Sequence, residues 1–171
     1  RGICTPLADP SIHPLFPLAV DRVIDMSSGS RKGPGPDLID AAVRQYLTLA
    51  GYFVVLAEDQ NPPEAVFETL RPTTIDLLAW HDAGAHAVVK GSLGARELTL
   101  QLWMIEEAGV RVTRRDTQAL KDNSPESLKR AVQRWVDGLL AKLTGKPGVF
   151  STRIVYAHRL KKGGPKEIQM V

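Results

Sequence analysis

The chain has 171 residues, 43% apolar and 24% charged, with a formal net charge of +3 and a single cysteine. That is one domain of ordinary globular composition, long enough to bury a core without staples, and Cys4 alone excludes an internal disulfide. No run reaches the roughly 18 apolar residues of a spanning helix, so insertion into a membrane by that route is excluded. The lysines and arginines are spread along the chain, and a mild positive charge so distributed does not point to nucleic acid.

Residues 1–15 carry Pro6, Pro10 and Pro14 without any period and read as an extended lead-in. FPLAVDRVI, Phe16 to Ile24, is an apolar run suited to a mostly buried strand, and SSGSRKGPGP, Ser27 to Pro36, is a loop. Pro36 and Asp37 suit the first turn of a helix whose apolar stripe runs from Leu38 through Val43 and Leu47 to Ala50, with Gly51 as its stop. Phe53 to Leu56 is a short strand, and residues 58–72 form a polar, proline-marked loop. Thr73 or Thr74 is placed to cap a second helix that runs to Ala83 and is closed by Gly84.

Ala87 to Leu93 (AVVKGSL) is a strand. In Glu97 to Ile105, Leu98, Leu100, Leu102 and Met104 alternate onto one face. Val110 to Asp116 alternates too, and Ala108-Gly109 turns the two runs into a hairpin. Ser124 caps and Pro125 opens a third helix striped by Leu128, Val132, Trp135, Leu139 and Leu143. Thr152 to Leu160 and Glu167 to Val171 read as a last pair of strands across a KKGGPK turn. The order β-α-β-α-β-β-β-α, then a final hairpin, predicts a mixed α/β fold with about three helices packed on a mixed sheet.

No grouping of residues announces catalysis. The glycine loop GSRKGPGP lacks the GK[ST] ending of a phosphate cradle, and Pro34 and Pro36 remove two of its N–H donors, so it reads as a flexible connector. His81 and His86 are five apart, not the i, i+4 pair of a helical metal site, and Cys4 is distant in sequence from every histidine except His13. Glu58-Asp59 and Glu106-Glu107 read as solvated turn acids, and there is no nucleophile elbow. Neither a cofactor, a metal nor a catalytic residue is expected. Trp135 lies on a helical stripe and reads as core. Trp103 lies opposite the leucine face of its strand, and a sheet covered on both faces buries it as well.

Leu143-Thr144-Gly145, followed by Gly148, Phe150, Thr152, Arg153, Ile154 and Tyr156, resembles the L-T-G-x-x-G-x-F-x-T-R-I-A-Y string of the TolB family, with Val155 in place of alanine. Gly84 to Gly91 is similar to that family's G-x-D-A-V-V-x-G strand, with His86 for aspartate, and Leu98 to Ile105 is similar to the strand after it. Leu47 to Phe53 is similar to its L-x-x-S-G-x-F helix end, with Ala50 for serine. Phe16 to Val23 stands in the place of the first family strand, with Asp21 where proline is common.

The resemblance covers about residues 16–171 and implies an amino-terminal α/β domain similar to anticodon-binding domains, followed in the family by a six-bladed β-propeller. The boundaries it implies are a lead-in over 1–15, the α/β domain over 16–150 and strands leading toward the propeller over 151–171. It also implies a non-enzymatic periplasmic adaptor of the Tol-Pal envelope system that contacts the C-terminal domain of TolA. Pal would be bound only through the propeller, which a chain ending at Val171 would lack. Within Ile3 to Ile12, the alternating Ile3, Thr5 and Leu7, together with Ile12, are the candidate partner-binding residues, acting by strand addition. Two other readings stand beside it: a nucleic-acid-binding module, from the fold likeness, and an envelope sensor of small molecules.

Overall fold

The computed structural model describes residues 15–106, 109–152, 155–158 and 167–170. A six-stranded mixed sheet organises the chain: β1 (Phe16–Val20), β2 (Ile24–Asp25), β3 (Phe53–Val55), β4 (Ala87–Leu93), β5 (Glu97–Glu106) and β6 (Gly109–Ala119). Its order is β3-β1-β4-β5-β6, with β2 also pairing β4. The strands β1, β2 and β3 run parallel to their neighbours, while β4, β5 and β6 form an antiparallel meander. A separate two-stranded sheet joins β7 (Val155–His158) to β8 (Glu167–Met170). The helices are α1 (Pro34–Leu49), α2 (Leu77–Asp82) and α3 (Pro125–Thr144).

Alternation along β4 and β5 decides which helix goes where. Val89, Leu98, Leu100 and Leu102 face α1 and α3, whose Ile39, Val43, Leu47, Leu128, Val132 and Trp135 complete the main core. Val88 and Trp103 face the other way, into a smaller core with Ala19, Ala65, Ile75 and Trp80 under α2 and the segment before it. The sheet is therefore covered on both faces, and Trp103 is buried. Gly91 lets the meander close: a Cβ there would stand 2.7 Å from Leu100 and 2.8 Å from the Thr99 carbonyl.

Besides shifts of a few residues, such as α1 starting at Pro34 and β6 running on to Ala119, three boundaries differ from the sequence reading. The first apolar run is two strands rather than one, because Asp21 turns its carboxylate into the protein and interrupts the extended ladder. The second helix begins at Leu77, capped by Asp76, whose carboxylate accepts from the Ala79 N–H at 3.1 Å. Thr74 is spent elsewhere, accepting from the Thr69 N–H and donating to the Arg71 carbonyl.

The third difference lies in the motif after α3. Gly145 ends the helix at φ 73°, a left-handed conformation that suits glycine. No strand starts at Thr152. The Asp137 carboxylate on α3 instead accepts from the Phe150 and Ser151 N–H groups at 2.9 and 2.7 Å, folding this segment back on the domain. Gly148 is required by the same contact, since a Cβ there would lie 2.6 Å from the Asp137 Cα. Phe150 packs on the main core and meets the Tyr46 ring at 5.3 Å. Thr152 donates its N–H to the Val149 carbonyl, while Arg153 and Ile154 lie outside the described residues.

Replacing Asp137 with alanine removes the acceptor of two backbone donors and should lower unfolding stability by about 1–3 kcal/mol. Urea denaturation checks the value. The exposed Leu78→Ala variant should stay within about 0.5 kcal/mol of the parent.

Candidate functional site: a charge-stapled strap and its apolar rim

β1 and β4 lie in register with Val20 beside Val89, so the next residues on each strand path, Asp21 and Lys90, also meet. Both side chains enter the small-core side of the sheet and both are buried. Lys90 Nζ lies 2.5 Å from Asp21 Oδ2 and 2.6 Å from Glu68 Oε2, and 5.1 Å from the centre of the Trp80 ring. Glu68 also accepts from Trp80 Nε1 at 2.9 Å and from the Asp76 N–H at 2.7 Å. Arg31 closes the group: its Nη1 donates to both Asp21 oxygens at 3.0 Å and its Nη2 to the Glu68 carbonyl. Two cations meet two carboxylates, and each charge has several partners, which is the condition for keeping ions out of water.

Glu68 belongs to a strap, residues 58–76, built of short 3-10 turns at Glu58–Gln60, Pro63–Phe67 and Pro72–Thr74. Asn61 ties the strap to β1 through the Val20 carbonyl at 2.8 Å. Arg44 of α1 donates to the same carbonyl at 2.6 Å and to that of Leu56 at 2.7 Å. Ala65 faces inward, which leaves Val66 59% and Phe67 83% exposed on the outer surface. Leu78 on α2, 74% exposed, belongs to the same layer.

Leu78 also lines a broad groove with Phe16, His81, His86, Met104 and Ile105. On the other side of the sheet a pocket of about 190 Å³ is lined by Phe16, Tyr52, Phe53, Met104 and Leu143 among others. Phe16 and Met104 belong to both, so apolar surface wraps around this end of the sheet. An apolar rim of this kind fits a protein or peptide contact.

Electrostatics tune the strap's first turn. The Arg22 guanidinium, bonded to Glu58 and Asp37, holds the Glu58 carboxyl below the usual glutamate range. Burial pushes the Asp40 carboxyl up, against the pull of Arg44 beside it.

The lead-in candidates Ile3, Thr5, Leu7 and Ile12, with Cys4, lie outside the described residues. The glycine loop is not a loose connector, since Arg31 within it is fixed to Asp21 and Glu68. Glu58 is not a merely solvated acid, given its bond to Arg22. His81 and His86 share the groove wall, His86 edge-on to Phe16 at 5.6 Å. Among the described residues no group of three or more His, Cys, Asp or Glu side chains could hold a metal ion. None of the described helices is long and apolar enough to cross a membrane. Sequence reasoning passed over Lys90, Asp21 and Glu68. The signal was there in part: Lys90 is the one charge in AVVKGSL, and Asp21, next to Arg22, lies inside the apolar run FPLAVDRVI.

Fold and surface together define a mixed α/β domain, a six-stranded sheet with three helices, whose distinctive parts are a stapled strap and an apolar rim. No family model matches the sequence. The Tol-Pal system protein TolB of Thioalkalivibrio sulfidiphilus is 27% identical over 146 residues, which cover 81% of this chain and 32% of that protein. TolB of Myxococcus xanthus is 27% identical over 144 residues, 84% of this chain and 32% of its own length. TolB of a Polaromonas species reaches 36% over 94 residues, 52% of this chain and 20% of its own. The crystal structure of TolB from Acinetobacter baumannii superposes with a TM-score of 0.58 at 21% identity, over 86% of this chain and 33% of that one. The chain is thus similar in sequence and in fold to the N-terminal domain of TolB. It spans about a third of the length of the curated relatives that it matches over most of its own length.

Lys90→Met takes the ammonium from two buried carboxylates, leaving Glu68 with no cation, and should cost about 3–5 kcal/mol. Hydrogen exchange in the strap should accelerate more than exchange in α1, and adding Glu68→Gln, with Asp21 still paired to Arg31, should recover part of the loss. Glu58's depressed pKa means that its pair with Arg22 stabilises above the ordinary glutamate pKa and that this contribution is lost as pH falls through the folded value. In Arg22→Ala, NMR titration should show Glu58 moving back up toward the ordinary glutamate range, with stability changed by less than about 1 kcal/mol because the pair is exposed.

Proposed function

We propose that this chain is a protein-interaction domain of the Tol-Pal envelope system, working in the periplasm by contact and not by catalysis. The observation that carries the reading is the similarity to TolB across about four fifths of the chain. The surface agrees with it: Val66, Phe67 and Leu78 are held outward on a layer that a buried ion cluster fixes to the sheet. Rigid presentation of apolar side chains lowers the ordering cost of association.

Within this reading residues 16–150 form the domain, and the strands from about residue 151 begin a connection toward a propeller. The domain faces the C-terminal domain of TolA, and Pal is engaged only by the propeller. The lead-in, with Ile3, Thr5, Leu7 and Ile12, adds a strand to the TolA sheet, where main-chain bonds give affinity and alternate side chains give choice.

Calorimetric titration against the TolA C-terminal domain of the same organism tests this, with the full chain, a variant lacking residues 1–12, and Phe67→Ala/Leu78→Ala. The expected result is binding by the full chain that disappears with the truncation. Binding that survives truncation but falls with the double variant moves the contact to the strap. Absence of heat in every case overturns the TolA reading.

A further inference from the structure

β6 is an outer strand of the sheet, and no described strand pairs with its far side. The Leu120 N–H donates to the Arg96 carbonyl at 2.9 Å, which continues the β5–β6 register in which Ala119 faces Glu97. In an antiparallel ladder, hydrogen-bonded and non-bonded pairs alternate. Gln118, Asp116 and Arg114 therefore bond inward to β5, while Ala119, Thr117 and Arg115 turn their N–H and C=O groups outward, away from the sheet. A register shift between Leu102 and Trp103 bounds this regular stretch on its other side. Arg114 to Ala119 is thus a six-residue edge with three outward-facing peptide units and the side chains of Arg115, Thr117 and Ala119 exposed.

The charge around this edge has one sign in excess. Between residues 109 and 134 seven lysines and arginines stand against three acids, a net +4, whereas the whole chain carries +3. Ala119 at the end of β6 shares a concavity of about 350 Å³ with Lys121, Arg130 and Arg134 of the turn and α3. Arg134 is aligned beside the strand by its bond to Gln118 at 3.1 Å. Two of the nearby acids are already engaged, Asp116 by Arg114 and Asp122 by Ser124. Arg115, Lys121 and Arg130 make no ion pair among the described residues.

We propose that the edge Arg114–Ala119 receives an extended acidic segment of a partner protein as an added strand. Backbone groups supply the pairing and the flanking cations select the sign of the incoming chain. The same arginines discourage edge-to-edge pairing between copies of this chain, where like charges would face each other. Asp116 in the edge and Asp122 and Glu126 just beyond it favour a protein segment over a polyphosphate, whose continuous negative charge would meet them. This inference does not rest on the Tol-Pal reading, because it concerns another surface and a different partner chemistry.

The test is fluorescence anisotropy of the full chain with a labelled decapeptide of alternating glutamate and threonine, a lysine–threonine counterpart and a single-stranded RNA of the same length. The acidic peptide should bind, and its affinity should weaken as salt rises from about 0.05 to 0.3 M, where exposed charges become screened. Arg115→Glu should weaken it by at least about fivefold, on the order of one exposed charge contact reversed. Thr117→Pro is the decisive variant. Proline is tolerated on an edge strand where the missing N–H faces solvent, so the ladder to β5 survives while the added strand is blocked. It should melt close to the parent and lose binding by at least about tenfold. Equal binding by Thr117→Pro with an unchanged melting temperature overturns strand addition. Should that variant unfold, the same peptide N-methylated at alternate residues replaces it, and undiminished binding of the methylated peptide overturns the proposal equally. Tighter binding of the RNA than of the acidic peptide, or no binding of the acidic peptide, also overturns it.

Discussion

Lys90 lies in the middle of a seven-residue strand, between Val89 and Gly91, and its side chain is buried. Such a charge stays in a fold only if the chain delivers partners to it: here Asp21 comes from the end of β1 and Glu68 from the strap, and Arg31 of the glycine loop bonds both of those residues in turn. Each partner fixes a segment with little apolar surface of its own. Asp21 breaks the first strand, Arg31 holds the loop before α1, and Glu68 fastens the strap over the second face of the sheet.

The two faces are held by different physics. On one, α1 and α3 bury a continuous leucine, valine and isoleucine core, the ordinary hydrophobic solution. On the other, the small core consists of Trp80, Trp103, Ile75, Val88 and three alanines, little apolar surface with which to order some twenty residues of turn. The ion cluster makes up the difference, with Trp80 contributing to both through its ring and its N–H. The strap can then expose Val66 and Phe67 without collapsing onto them, because its anchoring lies elsewhere. A recognition surface gains from that division: the residues that hold the segment are not the residues that it shows.

The motif that ties this chain to TolB has a local explanation. Gly145 is there for a left-handed turn, Gly148 for close approach to Asp137, and Phe150 for its place against Tyr46. These are demands of the segment that leaves α3, and none of them is chemistry. The similarity therefore speaks first of architecture, and it covers about a third of the length of the relatives it points to.

The sequence alone determined the elements with strong local signals. Period-3.6 stripes, Ser124-Pro125 and the αL glycines Gly51, Gly84 and Gly145 marked the helices, and the leucine alternation of β5 marked the meander. These are decided by contacts a few residues apart, so the order of residues carries them. Only the tertiary structure decided where the first strand breaks, that Asp76 and not Thr74 caps α2, and that the chain folds back at Asp137 before any strand begins. It alone brought Asp21, Arg31, Glu68 and Lys90 together across 69 positions of chain, and in it no described strand covers the far side of β6. Those outcomes depend on which carboxylate reaches which donor through space, and on which strand finds no neighbour. Neither follows from spacing along the chain.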